Sequence, residues 1–288
     1  MNEPGIHIKE IPQLENPLLV AGFDGWGNAL NVSRAMVKFL IRHFKASSFA
    51  DLNPDKFYRY DEQRPRVNIE DGLLKTYRSP GGAFYSAVTD QNQRDIVILS
   101  ADEPNLCWSL FVDQFFSLCR KLNVDTVMTL GSMYDNVLHT DRTVSGVAST
   151  GEMLAQLQEH KVNAISYQGP SAIHSIIQSE GTKRGFKCFS LWCHCPYYLQ
   201  GTTHFGILSH LGGLISQLGN FDLDTEHLDK KWQALREQVN TLIDGNSELQ
   251  TLIASLRKEK AKGSTARLDG KITADEKIIN LQDFLDPK

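Results

Sequence analysis

Residues 124–150, VDTVMTLGSMYDNVLHTDRTVSGVAST, join an uncharged, β-prone run to the polar loop that follows it. Residues 126–130 have the composition of a central parallel strand that is covered on both faces. We expect Gly131 to end this strand. Within a dozen residues the chain then presents many side chains that hydrogen-bond or titrate, more than packing alone requires. The stretch therefore predicts an α/β fold with a functional loop at the end of this strand.

Apolar runs alternate with amphipathic segments along the rest of the chain. Short apolar runs predict strands at residues 17–23, 46–52, 94–100, 162–167 and 185–192. Three- and four-residue apolar spacing predicts helices at 30–44, 108–122, 151–159 and 203–218, and the sequence Gly-Pro-Ser at 169–171 is expected to start another. Asp71 and Gly72 supply a turn signal for a hairpin over 67–78. This order implies a mostly parallel sheet with helices on both faces.

Composition and charge argue against several classes of protein. The chain has 288 residues, 41% of them hydrophobic, and a net charge of −4 without a basic block, so we expect no nucleic-acid partner. No signal peptide and no apolar run of membrane-spanning length is visible, which predicts a cytoplasmic protein with no membrane partner. The five cysteines fit reduced thiols better than a disulfide framework.

The chain changes character near residue 221. Apolar residues then repeat at helical spacing, and the pairs Ser247 with Gln250 and Thr273 with Glu276 resemble capping boxes. We therefore divide the chain into an α/β core, residues 1–220, and a C-terminal helical subdomain, residues 221–288. The helical subdomain is expected to pack on the core or on a neighbouring subunit.

The loops after the predicted strands should meet at one edge of the sheet, where open α/β sheets usually bind ligands. No cofactor and no metal is expected. The candidate ligand-binding residues in these loops are Asp24, Gly25, Trp26, Gly27, Glu103, Ser132, His139, Arg142, Gly169 and His194.

Two of the candidate groups have simple structural alternatives. The Asp24, Gly25 and Gly27 turn could hold an anion at a helix N-terminus, or it could be a tight turn in which Asp24 caps the helix. Glu103 could be a general acid or base in the crevice, or Asp102 or Glu103 could complement the dipole of the helix that follows it.

The other candidates also have both a functional and a structural interpretation. His139 beside Asp141 and Arg142 is the most reaction-like group, and its alternative is a loop ion pair or an oligomer contact. Ser132 follows Gly131 but lacks the G-x-S-x-G elbow of a serine nucleophile. The sequence Cys-His-Cys at 193–195 has no second pair at zinc-finger spacing, so buried thiols at a strand end are the favoured interpretation.

Six segments, in this order, make the chain similar to the proteasome assembly chaperone 2 family over about residues 17–218: AGFDGWGNALNVSRAMVKFL, FYRYDEQRPRV, DIVILSADEPNLCW, TVMTLGSMYDNVLHTDR, YQGPSAI and SLWCHCPYYL. The resemblance implies a three-layer α/β/α, phosphorylase/hydrolase-like fold and a homo-oligomer such as a trimer. Eukaryotic and archaeal members are assembly chaperones for proteasome subunits, and the resemblance implies no established reaction.

Two functional hypotheses follow. The first is a non-enzymatic protein-binding or assembly-chaperone-like homo-oligomer, because every catalytic constellation in the sequence is weak. The second is an enzyme or sensor that binds a small anionic ligand, a nucleoside or a phosphate ester, at the C-terminal ends of the strands.

Overall fold

The computed structural model describes residues 4–90 and 93–261. Its strands are β1 Ile6–Ile8, β2 Leu18–Asp24, β3 Ser47–Leu52, β4 Arg66–Glu70, β5 Leu73–Arg78, β6 Gly82–Ala87, β7 Ile96–Asp102, β8 Thr126–Asp135, β9 Val144–Ala148, β10 Asn163–Ala164 and β11 Lys187–Pro196. Its helices are α1 Val32–His43, α2 Pro54–Phe57, α3 Trp108–Lys121, α4 Gly151–Glu159, α5 Ile173–Lys183, α6 Phe205–Gly219, α7 Glu226–Asp244 and α8 Ser247–Ala261.

A nine-stranded sheet in the order β1-β3-β6-β7-β2-β8-β11-β9-β10 forms the middle layer. Its four central strands, β7, β2, β8 and β11, run parallel to one another. Antiparallel strands extend it on both sides, β6 beside β7 and β9 beside β11. The carboxyl ends of the four central strands therefore lie at one edge, as the alternation of strands and helices predicted.

Alternate residues of the central strands pack into two separate apolar clusters, one on each face of the sheet. Leu18 and Val20 of β2 join the cluster under α1 and α6, whereas Leu19 and Ala21 join the cluster under α3 and α5. Because strand side chains alternate between faces, an unbroken apolar run is what a strand buried on both sides requires. The structure confirms the three-layer α/β/α fold.

The hairpin is confirmed, but the end of the central strand is not where the sequence placed it. Asp71 and Gly72 both have positive φ angles, as a type I′ turn requires, and they join β4 to β5. The prediction that Gly131 ends β8 is wrong, because the strand continues to Asp135. Pairing with β11 along its whole length keeps the polar residues after Gly131 in the sheet.

Several smaller expectations also change. Only residues 163–164 of the predicted strand 162–167 form a strand, β10. The sequence did not predict β9, which follows the polar loop and lies between β10 and β11 in the sheet. The helix expected at residues 169–171 begins at Ile173. No helix among the described residues is long and apolar enough to cross a bilayer.

The described part of the tail, to residue 261, is helical, as predicted, and it packs on the core. Leu228 of α7 and Ile253 of α8 lie in the same apolar cluster as α1 and α6. The side chain of Asn246, rather than a Ser247–Gln250 capping box, accepts hydrogen bonds from the first backbone N–H groups of α8. The pair Thr273 and Glu276 lies outside the described residues. The division at residue 221 stays a prediction.

Candidate functional site

Glu103 joins three of the loops at the carboxyl edge of the sheet. Its Oε2 accepts a hydrogen bond from the Trp26 N–H at 3.0 Å, and its Oε1 accepts one from the Ile173 N–H at 2.8 Å. Glu103 therefore sits at the N-terminus of α5, not of the helix α3 that follows it in sequence. Since backbone groups occupy both carboxylate oxygens, the geometry favours a structural role for Glu103 over acid–base catalysis.

The glycines before α1 are explained by close packing in this turn. A Cβ on Gly25 would lie 2.5 Å from Glu103 Oε2, and a Cβ on Gly27 would lie 3.0 Å from the Trp192 ring. Asp24 does not cap α1, because its carboxylate accepts from Asn28 and from Arg34. A tight turn is therefore sufficient to account for this sequence.

A cavity of about 650 Å³ opens beside this turn, and we name it the strand-end cavity. Trp26 is 65% exposed on its rim, so the cavity is accessible from solvent. Its walls are mostly apolar and come from the loops after β2 and β10, the start of α5 and the strands β8, β9 and β11. The lining residues include Trp26, Asn28, Ala29, Ser132, Met133, Tyr134, Val147, Ile165, Tyr167, Pro170, Ala172 and Trp192.

A second cavity, of about 330 Å³, lies beside the first and is rich in arginine. We name it the arginine pocket. Arg34 in its wall is paired with Asp24 and Asp102. Further wall residues come from the loop before β4, from the hairpin and from the segment after it: Glu62, Gln63, Arg64, Arg66, Arg78, Ser79 and Pro80.

His139 and Arg142 lie in a different place, under the C-terminal helices. Trp232 of α7 stacks on His204 with ring centroids 4.4 Å apart, and the Arg142 guanidinium lies 4.6 Å from the centre of the same tryptophan ring. His139 Nδ1 is 2.9 Å from the hydroxyl of buried Tyr198. We call these five residues the helix clamp. They hold α7 against the core, so the hypothesis that His139 and Arg142 share the crevice with Glu103 is wrong.

His204 is held as a neutral imidazole inside the helix clamp. Its Nε2 donates to the His139 carbonyl at 2.9 Å, and its Nδ1 accepts from the Ile207 N–H at 3.2 Å. Burial, with a smaller contribution from Arg142, lowers the pKa of His204 from 6.5 to about 3. A second ring proton would face the Ile207 N–H, so the folded protein resists protonation at this site.

The PAC2 family model matches residues 19–243 of the chain, which cover the sheet from β2 onward and the helices up to α7. The chain belongs to the PAC2 family. No curated protein matches it significantly.

Solved structures of PAC2-family proteins and their homologues have the same fold. A PAC2 family protein from Streptomyces avermitilis is 26% identical, with a TM-score of 0.73, and the match covers 82% of this chain and 99% of that one. The Mycobacterium tuberculosis proteasome-assembly chaperone homologue Rv2125 is 24% identical with a TM-score of 0.75, over 82% of this chain and 99% of the other. Pyrococcus furiosus PbaB, an archaeal proteasome activator, is 16% identical with a TM-score of 0.65, over 84% and 99%.

The PAC2 fold brings some of the sequence candidates together. Gly25, Trp26 and Ser132 line the strand-end cavity, and Glu103 fixes its wall. Gly169 lies in the loop of that wall, where a Cβ would meet the Tyr167 hydroxyl. Ligand binding by these residues stays a prediction.

Ser132 and the cysteines of the Cys-His-Cys sequence have structural roles. The buried Ser132 hydroxyl donates to the Ala29 carbonyl, so its proton is directed to a backbone group and not to a side-chain base. Cys193 and Cys195 are buried, and burial raises the pKa of the Cys193 thiol to about 12. Among the residues that the structure describes, no three His, Cys, Asp or Glu side chains are grouped as metal ligands would be.

Sequence reasoning missed Ser145 and Asp135, which contact His194 from either side. These two residues lie in different strands, Asp135 at the end of β8 and Ser145 in β9, and have no fixed spacing to His194 that a linear motif would show. The arginines of the arginine pocket were also missed, because each of them looks like an ordinary surface residue in the sequence.

Proposed function

We propose that this PAC2-family protein is a protein-binding, chaperone-like protein that works as a homo-oligomer. The observation that carries the proposal is the hairpin β4–β5, which extends from the body with every residue of both strands exposed. A two-stranded hairpin in water is marginally stable on its own, so an ordered hairpin of this kind favours a partner surface.

The exposed hairpin side chains are unusually apolar. Val67 pairs across the strands with Tyr77, and Ile69 pairs with Leu74. Between 53% and 61% of each of these side chains is exposed. Contiguous exposed apolar surface marks association sites in soluble proteins, and neither hairpin edge has a strand neighbour within residues 4–90 and 93–261. A second copy of the chain has an identical hairpin. Self-association through the two hairpins would therefore cover the exposed apolar side chains and pair the free strand edges.

The relatives support the chaperone-like part of the proposal. The Mycobacterium tuberculosis protein is named a proteasome-assembly chaperone homologue, and two Pyrococcus furiosus structures are of PbaA, an archaeal homologue of proteasome-assembly chaperone. We infer that the assembled form, with a trimer as the simplest ring, presents a shared surface to a protein partner. We place this function in the cytoplasm, where the cysteines stay reduced.

Replacing Ile69 and Leu74 by aspartate should dissociate the oligomer. The two aspartates would place like charges opposite each other in every copy, and the apolar contact between copies would be lost. Light scattering after gel filtration should then show a single-chain mass for the variant and a multiple of that mass for the wild type. Lys75→Asp, also on the exposed hairpin, is the matched control and should keep the wild-type mass. A wild-type protein that elutes as a monomer at all concentrations would refute self-association.

The alternative function, binding of a small anionic ligand, is favoured by the arginine pocket rather than by the strand-end cavity. Arg66 and Arg78 lie directly opposite each other in the hairpin register. Like charges in that position destabilise a strand pair. Together with Arg64, they line the same pocket and have no carboxylate partner among the described residues. A phosphate or carboxylate group in the pocket would offset this repulsion with bidentate hydrogen bonds.

Nucleotides or inorganic phosphate should raise the melting temperature if this second function is correct, because a ligand that binds the folded state stabilises it. Arg78→Gln should abolish most of that shift. The control is Arg42→Gln, which replaces an exposed arginine of α1 that does not line the pocket. The ligand hypothesis fails if none of the anions changes the wild-type melting temperature.

A further inference from the structure

Three side chains beside the strand-end cavity form a continuous hydrogen-bonded chain of carboxylate, imidazole and hydroxyl. Asp135 Oδ2 lies 2.7 Å from His194 Nδ1. On the other side of the ring, His194 Nε2 lies 2.5 Å from Ser145 Oγ. Each ring nitrogen has one partner, in the order that activates a serine nucleophile in hydrolases of unrelated folds.

The sheet register places this chain at the wall of the cavity. His194 pairs with Met133, and Ser145 pairs with Trp192. Met133 and Trp192 both line the strand-end cavity, as does Val147, which lies on the same face of β9 as Ser145. The three residues thus lie at the carboxyl ends of β8 and β11 and on the neighbouring β9, at the edge where α/β sheets carry their chemistry.

The protonation states follow from the contacts. Burial by itself would raise the pKa of Asp135, but hydrogen bonds from His194 and from the Asn136 N–H hold that pKa below its usual value. Asp135 is therefore ionised at neutral pH and accepts the Nδ1–H of His194. This fixes the tautomer, so Nε2 is left to accept the Ser145 hydroxyl proton.

We propose that Ser145 is a nucleophile toward small uncharged carboxylic esters whose acyl group enters the strand-end cavity, with His194 as general base and Asp135 as its positioning residue. In the first step the Ser145 proton moves to His194 Nε2 as Ser145 Oγ bonds to the acyl carbon. The ester C–O bond then breaks, and the leaving alkoxide takes the proton from His194 to give the alcohol. Water repeats the sequence, with His194 again as base, and releases the carboxylic acid and free Ser145.

Access decides which substrates can react. Ser145 is 1% exposed, whereas Val147 on the same strand is 40% exposed and Met133 is half-buried. A compact group reaches Ser145 by displacing these two flexible or surface side chains, and a bulky one does not. The inference is independent of the oligomer and of the arginine pocket, because neither the hairpin nor its arginines contact these residues in the structure described.

Diisopropyl fluorophosphate is the probe, since it is small and forms a stable bond with activated serines. Mass spectrometry should show one adduct per wild-type chain, on Ser145. Ser145→Ala should abolish it, and His194→Gln and Asp135→Asn should slow it about 100-fold or more, the contribution of a positioned base. Ser33→Ala is the matched control and should label at the wild-type rate, because that buried serine donates to the Leu130 carbonyl and has no histidine partner.

Melting temperatures of all four variants should be compared with that of the wild type, so that loss of labelling can be separated from loss of folding. Release of p-nitrophenol from its acetate ester gives a second readout, in which the Asp135→Asn variant should lose rate more than affinity. Wild-type protein that stays unlabelled while a serine hydrolase in the same tube is fully modified overturns the proposal. So does an adduct that survives in Ser145→Ala.

Discussion

Trp232→Ala should lower the free energy of unfolding by about 3–5 kcal/mol, the usual cost of truncating a buried aromatic side chain. Trp232 is 7% exposed. Its ring stacks on His204 and makes a cation–π contact with the Arg142 guanidinium. Its removal would leave Arg142 half-buried beside an empty volume. Urea unfolding followed by circular dichroism measures the change, and limited proteolysis should show earlier cleavage within α7 and α8.

Gln233→Ala is the matched control for this experiment. Gln233 lies next to Trp232 on the same helix but is exposed, so its replacement should change stability by no more than about 0.5 kcal/mol. If Trp232→Ala were as stable as Gln233→Ala, the helix clamp would not be what holds the C-terminal helices on the core.

Acidification from pH 7 to pH 5 should destabilise the protein strongly through its buried histidines. The pKa of His204 is lowered to about 3 in the folded state, against 6.5 ordinarily. Between these values the unfolded chain binds the proton that the folded chain refuses, so stability falls as pH falls, by about 1.4 kcal/mol per pH unit. The loss begins near pH 6.5 and is complete near pH 3. Burial also lowers the pKa of His139, His174 and His210, which adds to the loss in the same direction.

His204→Gln isolates the contribution of one ring. Glutamine keeps a donor and an acceptor but does not titrate, so between pH 7 and pH 5 the variant should lose about 2 kcal/mol less stability than the wild type in urea unfolding. Identical pH dependence in His204→Gln and the wild type would show that His204 is not kept neutral by the fold.

The candidate site residues fall into two groups, those positioned by the parallel sheet and those positioned by contacts with distant segments. Trp26 and Glu103 lie at one edge, as expected, because each is within two residues of the end of a parallel strand. The parallel order of the strands is enough to define that edge. His139 follows a central strand too, but its loop turns away and delivers it to α7. Hydrogen bonds between Leu138 and Asp141 form a turn within the loop itself. The contact of His139 with α7, in contrast, requires Trp232, which lies far along the chain.

The amino-acid sequence by itself determined the layers and the hairpin, because apolar periodicity and a two-residue turn are local properties. It also determined the family, because the six segments that carry the resemblance are read directly from the sequence. The sequence also predicted that the thiols of residues 193 and 195 are buried. The contacts of His194 with Asp135 and Ser145, and the convergence of the hairpin arginines on one pocket, were decided by strand register and packing. A hydrogen bond needs its two atoms within about 3 Å of each other, and only the tertiary structure sets distances between residues separated by many positions.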